Sequence, residues 1–133
     1  MQELDKKSLD KLDTCHVDLQ ILAKEAIKHM DFTIIWGYRN RAEQDKAYAA
    51  NNGVPWPNSK HNHMTKKLVD GEFIMVPESL AIDIAPVPLD WKNTNRFCVL
   101  LGVFKACASI MGIPIRLGPD VRKGDYGHIE LVV

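Results

Sequence analysis

The stretch Lys123-Gly-Asp-Tyr-Gly-His-Ile-Glu-Leu-Val-Val133 decides how the rest of the chain is read. With a period of two, Ile129, Leu131 and Val133 share one face of a strand, and His128, Glu130 and Val132 share the other. One face suits a core and the other suits chemistry. The same division recurs in Leu80-Ala-Ile-Asp-Ile-Ala-Pro-Val87, where Leu80, Ile82 and Ile84 oppose Ala81, Asp83 and Ala85. Small neighbours beside Asp83 leave space above the sheet for a metal and a substrate. A lone strand aspartate more often faces solvent, so Asp83 gains weight only through its company.

Outward from these two strands the pattern alternates. His16–Met30 carries Val17, Leu19, Ile21, Leu22, Ala23, Ala26, Ile27 and Met30 at helical spacing. Phe32–Tyr38 reads as a strand rich in β-branched and aromatic residues. It delivers Arg39 to the corner before a second helix, which Asn52-Gly53 is expected to close. Val54–Lys60, with prolines around Trp56, predicts a structured loop. Lys66–Val76 predicts a hairpin turning at Asp70-Gly71. A long apolar helix follows, capped at Asn93 or Thr94 and stopped at Gly112, then a short strand at Ile115–Gly118, a loop and the closing strand. Helices and strands are interspersed without a repeat, and the hairpin signal favours antiparallel pairing. The expected class is α+β, an antiparallel sheet with flanking helices.

At 133 residues and 46% hydrophobic composition, residues 1–133 are expected to form one domain. Seventeen basic and seventeen acidic residues cancel, which argues against nucleic acid or an anionic membrane as partner. The amino terminus is charged and lacks a secretory pattern, and no apolar run is expected to cross a bilayer. Cys15, Cys98 and Cys107 fit neither a zinc knuckle nor a disulfide framework. They predict reduced thiols in a cytoplasmic product, with Cys98 and Cys107 as small core residues. Trp56 and Trp91 could stack on sugar or peptide, but loop tryptophans more often pin a loop to the core.

A catalytic zinc takes three protein ligands and leaves a position for water. Asp83 and His128 offer two, and Ser59-Lys-His-Asn-His63 offers His61 or His63 as the third. His16 and His29 lie in or near the amphipathic helix and read as surface or helix-end residues.

Four blocks, Gly37-Tyr-Arg-Asn-Arg-Ala-Glu-Gln44, Ser59-Lys-His61, Ala81-Ile-Asp-Ile-Ala-Pro86 and Asp125-Tyr-Gly-His-Ile-Glu-Leu131, resemble in order the signature of a zinc peptidase family. That family includes D-Ala-D-Ala carboxypeptidases, dipeptidases and phage L-alanyl-D-glutamate endopeptidases, with a hedgehog/DD-peptidase fold, and the phage endolysin branch is the nearest in form. The resemblance implies that His61, Asp83 and His128 bind zinc and that Asp125 is the general base. It implies that Arg39 and Gln44 hold the substrate and its oxyanion, and that Ser59 lines the site. Glu130 is expected to orient His128 or to be solvated, and Arg41 to lie on the surface.

The implied activity is hydrolysis of the L-alanyl-D-glutamate bond in peptidoglycan stem peptides, leading to host lysis. The implied agent is a monomeric catalytic domain made in the host cytoplasm and released through a holin lesion. The alternatives are a D-Ala-D-Ala carboxypeptidase or dipeptidase and a non-catalytic zinc-bearing wall-binding module; Asp125 and Arg39 count against the last. The chain departs from the family twice. The family keeps its first histidine close to its aspartate, whereas here about 62–79 intervene, which reads as an inserted hairpin and leaves His63 a rival to His61. Arg116-Leu-Gly-Pro-Asp-Val121 also lacks the aromatic groups usual before the last block.

Overall fold

Asp83 and His128 meet because of strand register. In the computed structural model, which describes residues 2–133, β4 (Ala81–Pro86) and β6 (His128–Leu131) pair antiparallel. The register sets Ala81 against Glu130, Ile82 against Ile129 and Asp83 against His128. β1 (Phe32–Trp36) flanks β4, and β5 (Ile115–Leu117) flanks β6, giving the order β1-β4-β6-β5. All three pairings are antiparallel.

The apolar strand faces close the core as the period of two requires. Ile82, Ile84, Ile129 and Leu131 are buried against Leu19 and Leu22 of α2 (Val17–Ala26) and Leu100 and Phe104 of α4 (Thr94–Met111). Phe32 and Phe104 meet edge to face at 5.1 Å. On the opposite sheet face Ala81 and Ala85 are fully covered. Between them Asp83 stays partly open, on the floor of a cleft.

Local signals set several ends. Asn93 caps α4 by accepting from Arg96 N, and Gly112 takes φ 70 at its close. Asn40 and Glu43 form a reciprocal capping box on α3 (Arg41–Ala49). β2 (Met64–Val69) and β3 (Glu72–Pro77) form the anticipated hairpin, turning through Asp70 at φ 51 and Gly71 at φ 81.

Other expectations are corrected. α3 ends at Ala49, and Asn51, at φ 59, takes the left-handed position expected of Asn52-Gly53. β6 stops at Leu131, so Val133 is exposed and outside the core. A helix α1 (Lys6–Leu12) leads the chain, capped by Asp5. Only Ser8 and Leu12 of α1 are buried, so it has no apolar stripe; Ser8 Oγ instead accepts from Ile34 N on β1. A four-residue α5 (Gly118–Val121) stands where a loop was expected.

Cys98 is exposed, because the core face of α4 runs through Phe97, Leu100, Leu101, Phe104, Cys107 and Ala108. With 18 residues of mean hydropathy 1.3, α4 is also long and apolar enough to cross a membrane by composition, contrary to expectation. Here one side of it packs into the core, through Phe97, Leu100, Leu101, Phe104, Cys107 and Ala108.

Candidate active site

His61 enters the site on a 3-10 turn (Lys60–Asn62), which Ser59 caps by accepting from His61 N at 3.1 Å. Arg39 N donates to His61 O at 2.9 Å and ties this turn to the end of β1. Asp83 and His128 arrive as the cross-strand pair. His61 Nε2 lies 3.2 Å from Asp83 Oδ1, and His128 Nδ1 lies 3.0 Å from the same oxygen. One ligand atom from each residue falls within 4.8 Å of the others, a group that could hold a metal ion.

The outer nitrogens decide whether the donors suit a metal. His61 Nδ1 donates to Gly37 O at 2.7 Å, since a carbonyl can only accept, and its Nε2 is left to face Asp83. His128 Nε2 donates to Glu130 Oε1 at 2.9 Å, and its Nδ1 faces Asp83. Both rings thus have an anchored outer N–H, the arrangement typical of metal-ligating histidines. His63 is placed elsewhere: it is exposed at the hairpin stem, with Nδ1 2.9 Å from Glu78 O.

Glu130 is buried rather than solvated. It receives His128, pairs with Lys60 Nζ at 3.1 Å and lies 3.9 Å from Arg116. Burial alone would raise its pKa, but the bonds from His128 and Lys60 outweigh it and hold the carboxyl at about 2. For His128 burial works against the charge, yet Asp83 and Glu130 lift the imidazole to about 9. Asp83 is opposed by burial in the same way, and His61 and His128 keep it well below the usual carboxylate range.

Arg39 is buried along the cleft wall, its Nη2 2.8 Å from Asp83 Oδ2 and its guanidinium 5.1 Å above the Trp36 ring. Among the described residues its buried Nε has no partner. Gln44 is not where a substrate ligand should be. It is fully buried behind the wall, donating to Val54 O at 2.7 Å and accepting from Asn62 Nδ2 at 3.2 Å. Asn62, which the sequence did not single out, also donates to Arg39 O at 3.0 Å. Gln44 and Asn62 together hold the wall that carries Arg39.

A cleft of about 870 Å³ runs over this floor, lined by Arg39, Ser59, His61, Asp83, Asp125 and His128 among others. Asp125 is half-buried; burial raises its pKa most, and Asp83 adds to the rise against the opposing charge of His128. Trp91 lines the cleft rather than pinning a loop in the core, stacked on Phe97 at 5.7 Å and largely exposed. Trp56 is half-buried.

Gly118 packs tightly beneath the site. A Cβ built there would lie 1.9 Å from Asp125 O and 2.9 Å from His128 O, both unyielding backbone atoms. Gly118→Ala is therefore expected to lower the melting temperature by roughly 5–10 °C, the scale of overpacking a small domain. An unchanged calorimetric transition would contradict this packing.

No curated protein matches the chain. The solved crystal structure of Serratia marcescens L-Ala D-Glu endopeptidase ChiX shares the fold, with a TM-score of 0.76 over 98% of this chain and 91% of that one at 18% identity. The model of the phage L-alanyl-D-glutamate peptidase family matches residues 1–132, nearly the entire length. On that match the chain belongs to the phage L-alanyl-D-glutamate peptidase family.

Proposed function

We propose that the protein is a zinc peptidase that cleaves the L-alanyl-D-glutamate bond of peptidoglycan stem peptides and acts in phage lysis. The peptidase activity follows from the family. The observation that supports a metal mechanism is the pair of histidines that face one carboxylate oxygen, each with its outer N–H anchored. Two imidazoles and a carboxylate are a donor set suited to catalytic zinc. Zinc bound by His61, Asp83 and His128 would supply Lewis acidity to water and to the scissile carbonyl.

The remaining work falls to the chain's own groups. Asp125 takes a proton from the attacking water and passes it to the departing D-glutamyl nitrogen, and its raised pKa suits both directions of transfer. Arg39 holds Asp83 through Oδ2 and keeps a positive charge at the wall where the carbonyl oxygen becomes negative. Ser59 positions His61 and lines the cleft, and Glu130 with Lys60 orients His128. Gln44 acts as a support for the wall in place of substrate contact. We read 62–79 as an inserted hairpin on a single catalytic domain that acts as a monomer after holin-mediated release from the host cytoplasm.

Mass spectrometry of digested sacculi tests the reaction. New D-glutamyl amino termini are expected; loss of terminal D-alanine instead would make it a carboxypeptidase. Persistence of hydrolysis in 1,10-phenanthroline would remove zinc from the mechanism.

Stripping the metal should also expose the titration of the His128 pair. His128 at about 9 lies above its ordinary 6.5, so its contribution is complete below pH 6.5 and is lost as pH rises through 9. Glu130 at about 2 lies below its ordinary 4.5, so its contribution is complete above pH 4.5 and is lost as pH falls through 2. The metal-free protein should be most stable between 4.5 and 6.5. It should lose about 2 kcal/mol beyond the alkaline edge, the two groups sharing one contact. Melting curves in EDTA from about pH 3 to about pH 10 check this, and His128→Gln should flatten the alkaline limb.

A further inference from the structure

Four basic side chains line the cleft: Arg39, Lys60, Arg122 and Lys123. Two are committed, Arg39 to Asp83 and Lys60 to Glu130. Among the described residues neither Arg122 nor Lys123 forms an ion pair. Arg122 is nonetheless held in place. From the segment that carries Asp125 its guanidinium reaches the opposite wall, where Nη2 donates to Asn51 O beside the cleft-lining Asn52 and Gly53. Among the described residues only one of its several side-chain donors is engaged. Arg122 also shares a turn with Asp125, whose N donates to Arg122 O at 3.2 Å, and its charge acts on the Asp125 carboxyl.

The substrate's chemistry says what should meet such a group. In the stem peptide D-glutamate continues the chain through its γ-carboxyl, so its α-carboxyl is free. That carboxylate hangs from the carbon bearing the nitrogen that leaves. Asp125 must reach this nitrogen to protonate it, so the carboxylate arrives beside the Asp125 turn.

On the reading of the scissile bond given above, we propose that Arg122 is a carboxylate subsite that grips the α-carboxylate of the D-glutamyl residue on the leaving side. The neutral carbonyl of Asn51 is a weaker partner than a carboxylate, which a guanidinium can bind through two parallel N–H bonds. Lys123 offers a point charge without that fork. Arg39 already faces Asp83 and the wall where the carbonyl oxygen becomes negative.

Two muropeptides that differ only in carrying D-glutamate or its α-carboxamide test the subsite. The wild type is expected to cleave the carboxylate form with kcat/KM about tenfold higher, chiefly through KM, as one charge-assisted pair allows. Arg122→Gln should bring the ratio near one, Arg122→Lys should keep part of it, and Lys123→Gln should keep all of it; melting temperatures confirm that each variant folds. A ratio that survives Arg122→Gln, or one that Lys123→Gln abolishes, overturns the subsite while leaving the scissile bond intact. If the wild type cuts neither muropeptide, the assignment of the bond fails first and the subsite with it.

Discussion

Asp125→Ala is expected to lower turnover by about two to four orders of magnitude while the protein keeps its zinc and its melting temperature. The size follows from removing what is, among the described residues, the only cleft carboxylate not already committed. Asp83 is occupied by two imidazoles and Arg39, and Glu130 by His128 and Lys60. Among the described residues the Asp125 side chain accepts no hydrogen bond within the protein, and only its backbone is built into the turn, through Arg122 O and the close approach of Gly118. Truncating it should therefore cost the fold little. Single-turnover hydrolysis measured beside elemental analysis separates the two effects. A variant that retains more than about a tenth of the wild-type rate would place the base elsewhere.

His61→Ala and His128→Ala should each reduce bound zinc from about one equivalent to a small fraction, whereas His63→Ala should leave it unchanged. The reasoning lies in the rings. The His61 ring is buried with Nδ1 fixed by Gly37 O, and the His128 ring is held by Glu130, so each presents one defined nitrogen to Asp83. His63 is exposed and spends Nδ1 on Glu78 O. Zinc retained by His61→Ala and lost by His63→Ala would invert the ligand assignment and, with it, the reading of the 3-10 turn.

The core-facing residues of β4 and β6 were legible because a strand alternates strictly, but Ala81, Ala85 and Glu130 on the opposite face are buried as well, and Val133 lies beyond the end of its strand. The register that sets Asp83 opposite His128 was not legible, since it depends on pairing between segments far apart in sequence. α4 was clear as a helix, but its apolar residues run all round, so nothing in its period could show that Cys98 points outward. α1 escaped notice because its union with β1 runs through a serine hydroxyl rather than an apolar stripe. Within the site, motif order identified the residues that meet, while the roles of supporting groups depended on three dimensions. Gln44 proved to be a brace, and Asn62 and Lys60 carry bonds that no spacing advertised.

The hairpin between the first two ligands is sealed at its base. Glu78 N donates to His63 O at 3.0 Å and Leu80 N to Lys60 O at 2.9 Å, so the chain leaves and returns at one fixed gap. Closing a longer excursion costs only about 0.6 kcal/mol per doubling of its length. The tip at Asp70-Gly71 is thus a place where a label or a targeting peptide can be grafted at little cost to the fold.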